Sequence, residues 1–406
     1  MATFLRPLLV AMEKVNNLNG KYLKLTFEEQ KELGIVGRFK VYNWTFEMIC
    51  LGILGLIFAF YKVGMLINEN RAKRMFSSIS DFCKDELKFA RVGFNSKDGS
   101  KLLYIEERGK TWFSTFATGR SAVESLSVKT HMLSRSNPIA MITEYLLNFF
   151  FPSLAVQDIG EYCEVVIKPS GVFVSTETAK VNENSGEVLN NFKFITSVVN
   201  KAAMNELRRE NYYLSLTRTS ESAKLPIEYV YMSELNQLNE FFHHYASPNF
   251  NETLKNASQL VKFIGFTDLP TTKPLTDKLW VANQQPRVVI RTSIPASQQD
   301  LKIFNEVLYS VVELIDNFTR DLQQKSPSVF ITHDILKKSN QLRVQELAKI
   351  IKAAKQVERE MAQEKKQEAE KEKRRQMKAS GEQEKYDQRM KEKRERRQKN
   401  RQKTRM

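Results

Sequence analysis

The residue types best suited to chemistry gather at one end of the chain. Between Arg389 and Met406 stand ten basic side chains, Arg389, Lys391, Lys393, Arg394, Arg396, Arg397, Lys399, Arg401, Lys403 and Arg405, against two glutamates. Such a run suits the phosphate backbone of RNA, contacted largely without sequence readout. Anionic lipid is the competing polyanion, at about 1 kcal/mol per basic residue near the surface. A solubilising or sorting tail would need neither partner. Elsewhere the candidate groups are scattered. His131, His243, His244 and His333 lack acid–base or ligand-like neighbours in sequence. Cys50, Cys83 and Cys163 form no CxxC pair and no disulfide framework, so reduced, buried thiols are expected, with no metal or cofactor. Gly109-Lys110-Thr111 ends like a phosphate-binding loop, but Tyr104 stands where the first glycine belongs. G-x-S-x-G, H-E-x-x-H and G-x-G-x-x-G are all absent from the sequence. A non-enzymatic protein is expected.

The 406 residues carry a net charge of +16, but unevenly. Residues 337–406 hold 25 Lys+Arg against 12 Asp+Glu, a net of +13, which leaves +3 for the first 336. A polyanion partner is therefore to be sought at the tail and not on the body. With 42% hydrophobic residues the chain is too apolar to be wholly disordered.

One membrane segment is expected at Phe46–Ile67, where Glu47 and Lys62 are the two charges. Its length matches the roughly 20 apolar residues that span a bilayer core. Trp44, Tyr42 and Tyr61 stand near its ends, as interfacial aromatics do. Gly55 and Ala59 form a small-xxx-small pair that lets another helix approach closely. Pro7–Met12 is too short for a signal-peptide core, so the segment is expected to remain as an anchor. Lys31, Arg38 and Lys40 precede it and Lys62, Arg71, Lys73 and Arg74 follow, a slight bias. The thiols and the basic tail favour a cytosolic C-terminal side and a short luminal segment over residues 1–45. A second apolar stretch, Pro138–Val156, contains Glu144, Asn148 and Pro152. Ile139, Ile142, Leu146, Phe149 and Phe150 are expected there to enter a core or rest on the membrane surface.

Residues 78–325 read as one α/β body of mixed α+β type, in one or two lobes. Strands are predicted at 102–106, 111–117, 125–132 and 287–294, and a hairpin pairs 162–168 with 172–176 around Pro169-Ser170-Gly171. Residues 188–208 read as a helix with Phe192, Ile195, Val198, Val199 and Ala202 inward, followed by a strand at 212–216. Leu235, Leu238, Phe242 and Tyr245 mark a further helix. Ser297 and Asp300 form a capping box opening a helix striped by Leu301, Phe304, Leu308, Val311, Ile315 and Phe318. The sequons at Asn251, Asn256 and Asn317 are glycosylation candidates if the body is luminal and chance matches if it is cytosolic.

Pro327 is expected to close the body, and a charged helix runs over residues 331–406. Val344, Leu347, Ile351, Ala354 and Met361 supply a docking stripe. Beyond Met361 the sustained apolar positions of a coiled coil are missing, so a solvated helix broken at Ser380-Gly381 is expected.

The order of these parts resembles the calumin (coiled-coil-domain-containing) family of endoplasmic-reticulum membrane proteins, nearest its fungal members. The resemblance covers about residues 45–406 and rests on Phe89–Gly99 (FARVGFNSKDG), Thr118-Gly119-Arg120, Phe242–Ala246 (FHHYA), Arg287–Pro295 (RVVIRTSIP) and the tail from Arg343. It implies a PAT complex subunit, with an endoplasmic-reticulum location, a luminal N-terminus and a cytosolic C-terminus. Implied partners are the ribosome and its RNA, translocon-associated membrane proteins, a small membrane-protein partner subunit and multi-pass membrane protein clients. The implied role is adaptor and chaperone factor in multi-pass insertion and folding. An anionic-lipid-binding or membrane-contact protein is the alternative. Animal members carry an acidic luminal region linked to calcium, whereas residues 1–45 here hold four Glu and seven Lys+Arg, so calcium binding does not carry over.

Overall fold

The computed structural model describes residues 24–95, 99–151, 160–174, 185–324, 329–379 and 388–397. The expectations placed on Pro7–Met12, Pro152, Pro327 and Ser380-Gly381 lie outside these residues.

Four helices and seven strands organise the chain. Helix α1 is Thr45–Asp85, α2 is Pro138–Phe150, α3 is Gln298–Gln324 and α4 is His333–Ala379. The strands are β1 (Trp112–Thr118), β2 (Val123–His131), β3 (Tyr162–Pro169), β4 (Thr196–Asn200), β5 (Tyr229–Ser233), β6 (Val261–Thr267) and β7 (Arg287–Thr292). They form one sheet in the order β1-β2-β3-β7-β6-β4-β5, extended by short strands at Arg91–Val92 and Arg218–Ser220 at its ends and by Ile105–Glu106 on β1. Every neighbouring pair is antiparallel. The fold is mixed α+β.

Both faces of the central strands are covered, because successive side chains point to opposite sides. Val198, Tyr229, Tyr231, Ile264, Phe266, Val288 and Ile290 enter one core with α3 and the lower half of α1. Their neighbours Val199, Val230, Met232, Phe263 and Val289 enter a second core with Tyr213, Trp280 and Ile350 of α4. The first core is aromatic at its centre, where Phe241 lies 4.8 Å from Phe266 and 5.1 Å from Phe318 between ring centroids. Helix α3 begins as its sequence predicts. The Asp300 N–H donates to Ser297 Oγ at 3.0 Å, and Asp300 Oδ2 accepts from the Ser297 N–H at 2.9 Å. All six residues of its expected stripe are buried.

Four segments differ from the sequence reading. Residues 188–208 contain β4, flanked by short helices Ser185–Asn190 and Met204–Glu210. A central strand buried on both faces has apolar residues at consecutive positions, and that pattern imitates a helix face. Residues 212–216 hold a single helical turn, Tyr212–Ser215, and not a strand. The hairpin after Pro169 does not form: β3 already has β2 and β7 as its two neighbours, and Val172–Val174 are not strand. Gly171 instead turns the chain with φ +72°, a conformation suited to glycine. The stretch expected as one strand at 102–106 is split into Lys101–Leu102 and Ile105–Glu106.

Candidate functional site: the membrane junction and the basic helix

Helix α1 is 41 residues long, and its apolar half is exposed on all sides from Leu51 to Val63. It is the one described helix long and apolar enough to cross a membrane. At Gly64 its surroundings change. A Cβ on Gly64 would overlap the carbonyl oxygen of Arg135, so the α1 backbone rests directly on that loop. One turn later the fully buried Asn68 donates from Nδ2 to the carbonyls of Lys110 and Leu133, both at 2.9 Å, and its Oδ1 accepts from Arg135 Nη1 at 2.9 Å. Glu161 accepts from Arg71 at 2.9 Å, from Arg135, and from the Leu133 N–H at 3.3 Å. Burial pushes the Glu161 carboxyl up, but bonds from Arg135 and Arg71 outweigh it and hold the group below its ordinary value. Lys110 closes the ring by pairing with Glu69. From Ala72 to Cys83, α1 is part of the first core. The apolar helix and the body are thus one continuous element.

The root of α4 is held by charge. Arg343, 5% exposed, donates from Nε to Asp268 at 2.9 Å and from Nη2 to the same carboxylate, while its Nη1 reaches Glu234 at 2.8 Å. Ser339 Oγ donates to Glu234 at 2.8 Å. Burial opposes charge on Arg343, yet the Asp268 bonds and the two carboxylate charges hold its pKa above the ordinary value. Ile335, Ser339, Arg343 and Ile350 form the buried face, whereas Val344 is 59% and Met361 53% exposed. The docking face therefore matches the expected stripe only in part: Leu347 packs on the second core and Ile351 and Ala354 are half-buried, while Val344 and Met361 face outward. An arginine fills its centre, and hydropathy alone does not register a buried ion pair.

Beyond Ala354 the helix stands free, with residues 355–373 exposed. At 1.5 Å per residue this part of α4 reaches roughly 35–40 Å past its root, counted to Ala379. Among the ten predicted cations, Arg389, Lys391, Lys393, Arg394, Arg396 and Arg397 lie on a helical segment at 388–397 and are exposed. Lys399, Arg401, Lys403 and Arg405 lie outside the described residues. Gly55 and Ala59 are exposed on α1, with nothing within 4 Å of a Cβ added at Gly55.

Two of the histidines and two of the thiols have structural occupations. His243 Nε2 and the Tyr231 hydroxyl are 2.8 Å apart, and His131 Nδ1 meets the Gly160 carbonyl at 3.1 Å. Burial pushes the Cys83 thiol up to about 12 and raises Cys163 as well, which disfavours the reactive thiolate. Among the described residues no group of three His, Cys, Asp or Glu side chains is placed to hold a metal. Asn68, Arg135, Glu161, Glu234, Asp268 and Arg343 were not legible as site residues, because their partners are 26 to 109 positions away in the chain.

The stretches that carry the sequence resemblance have structural roles of their own. Gly119 has φ +93° and packs on Ala90, while Arg120 binds the Leu87 carbonyl and Asp316. Tyr245 of the FHHYA stretch donates to Asp321 at 2.7 Å and receives the Phe330 N–H at 3.2 Å. Arg291 of RVVIRTSIP pairs with Glu210 at 2.9 Å and lies 4.0 Å above the Tyr162 ring.

Comparison with known proteins gives the same parts a family. Residues 43–397 match the family described as PAT complex subunit CCDC47. A UPF0674 endoplasmic reticulum membrane protein of Saccharomyces cerevisiae is 51% identical over 356 residues, covering 88% of this chain and 87% of that one. A second UPF0674 endoplasmic reticulum membrane protein, from Schizosaccharomyces pombe, is 26% identical over 263 residues, 64% of this chain and 65% of that one. These names, with a helix able to cross a bilayer, support a membrane-associated role at the endoplasmic reticulum. The chain belongs to the PAT complex subunit CCDC47 family.

Proposed function

We propose that this chain is a non-enzymatic adaptor of the endoplasmic-reticulum membrane that joins ribosome–translocon complexes and assists insertion and folding of multi-pass proteins. The observation that carries this reading is mechanical. A cationic helix is rooted by a buried ion network in a body whose core contains the continuation of the membrane helix. The helix as far as Ala379 is thereby held at a set reach from the bilayer, and the basic run follows it in the sequence. The body and tail lie on the cytosolic side, the short N-terminal segment in the lumen, and the basic end meets ribosomal RNA phosphates. Family membership supports membrane-protein partners, and Gly55 and Ala59 offer a close-packing face to a small partner subunit.

Orientation tests this first. Asn256 is the exposed sequon, whereas the Asn317 amide nitrogen is occupied by the Tyr245 carbonyl at 3.0 Å. In microsomes, protease added from outside should remove the tail and body, and Asn256 should stay unmodified. Glycosylation of Asn256 would place the body in the lumen and end the ribosome reading.

A further inference from the structure

We propose that α2 is a second membrane contact, lying in the plane of the lipid interface beside the exit of α1. This rests on α1 crossing the bilayer. Helix α2 has 13 residues, about 20 Å of length, too short for a hydrocarbon core of about 30 Å. Its apolar residues nevertheless face outward: Ile139, Ile142, Leu146, Phe149 and Phe150 are between 50% and 76% exposed. At 100° per residue these five fall on one broad arc, and Glu144 falls opposite. So contiguous an apolar face on one exposed helix marks an interaction surface.

The polar groups of α2 ask little of water. Asn137 Oδ1 caps the first turn by accepting from the Ala140 N–H at 3.1 Å, and Pro138 removes a further free donor. Thr143 Oγ1 bonds back to the carbonyls of Ile139 and Ala140 at 2.9 and 2.8 Å. Position decides the occupant. Helix α2 begins three residues after Arg135, whose carbonyl abuts Gly64 of α1 and whose guanidinium binds Asn68 and Glu161. That contact is one residue past Val63, where the run of α1 exposed at every position ends; beyond it Leu66 and Ile67 are still exposed, but Gly64 and Asn68 are buried. The junction therefore fixes the start of α2 at the level where α1 leaves the lipid, and lipid is what its apolar arc meets there. Interfacial helices of this kind sit about 5–10 Å into the headgroup–acyl boundary.

The test uses the full chain with Cys50→Ser, reconstituted in phosphatidylcholine vesicles and carrying one environment-sensitive NBD probe. Cys83 and Cys163 are buried and are spared by labelling of the folded chain. Probes are placed by Phe149→Cys on α2, Leu56→Cys in the middle of the apolar half of α1, and Lys302→Cys on the body. Lipids carrying doxyl quenchers near the headgroup or at the bilayer centre then report depth. The Leu56→Cys probe, quenched most from the centre, establishes insertion. The Phe149→Cys probe should be quenched about twofold or more by the shallow quencher relative to the deep one. Adding Ile142→Glu should abolish that quenching while leaving the Leu56→Cys signal unchanged. If the Phe149→Cys probe behaves like Lys302→Cys in inserted chains, α2 lies in water or awaits a protein partner, and the proposal fails. It fails equally if the deep quencher dominates, which would mean a re-entrant or spanning segment.

Discussion

Glu161 is the residue on which the membrane junction turns, since it takes both Arg71 and Arg135. Its folded pKa lies below the unfolded value of about 4.5. The sign follows: the carboxylate contributes stability that is complete above the unfolded pKa and is lost as pH falls through the lower folded one. Glu161→Gln should cost about 1–3 kcal/mol at neutral pH, because two partly buried guanidinium groups lose a charged acceptor. In denaturant unfolding of the solubilised chain, that gap should close below the carboxylate range. A gap that stays constant with pH would remove the ion network from the account. Such residues are invisible in the sequence for a plain reason. Neither Asn68 nor Glu161 has a periodicity or motif, and their roles come from loops at Lys110 and Leu133 that folding brings to them. Charge density needs no fold to be read, so the basic run of the tail stands out in the sequence, and the short spacing of Ser297 and Asp300 made their mutual cap legible.

Among the elements, amphipathic ones were read correctly and doubly buried ones were not. Helix α3 covers one face of the sheet and keeps a polar side, so its stripe survives in the sequence. Strand β4, buried on both sides between β6 and β5, loses the alternation that marks a strand. Helix α4 falls between these cases. Its docking face is half ionic, and Arg343 lies among buried carboxylates where an apolar residue was expected. Arg343→Met should destabilise by about 3–5 kcal/mol, since Glu234 and Asp268, 2% and 0% exposed, would be left without their cation. The first consequence should be release of α4 from the body. Limited proteolysis should then cut between His333 and Ala354 while the sheet remains resistant. Cleavage no faster than in the parent chain would show that Leu347 and Ile350 dock α4 without the arginine.

At the level of the whole molecule, a net charge of +16 condenses to a statement about leverage. The body is close to neutral, the apolar half of α1 is able to cross a bilayer, and α4 starts in the first core at Ile335 and reaches the second at Ile350, with the basic run following it in the sequence. In the proposed reading, α1 and α2 hold the body at the lipid and α4 extends toward a polyanion. The most direct measurement is salt-dependent co-sedimentation of the reconstituted full chain with ribosomes, beside a chain lacking residues 389–406. Six to ten phosphate contacts weaken binding about 10³–10⁵-fold between about 50 and 200 mM salt. The account predicts that steep loss for the full chain, weak and nearly salt-independent sedimentation for the shortened one, and no compensating preference for anionic vesicles. Equal ribosome binding by both chains, or stronger retention of the tail by anionic vesicles than by ribosomes, would contradict it.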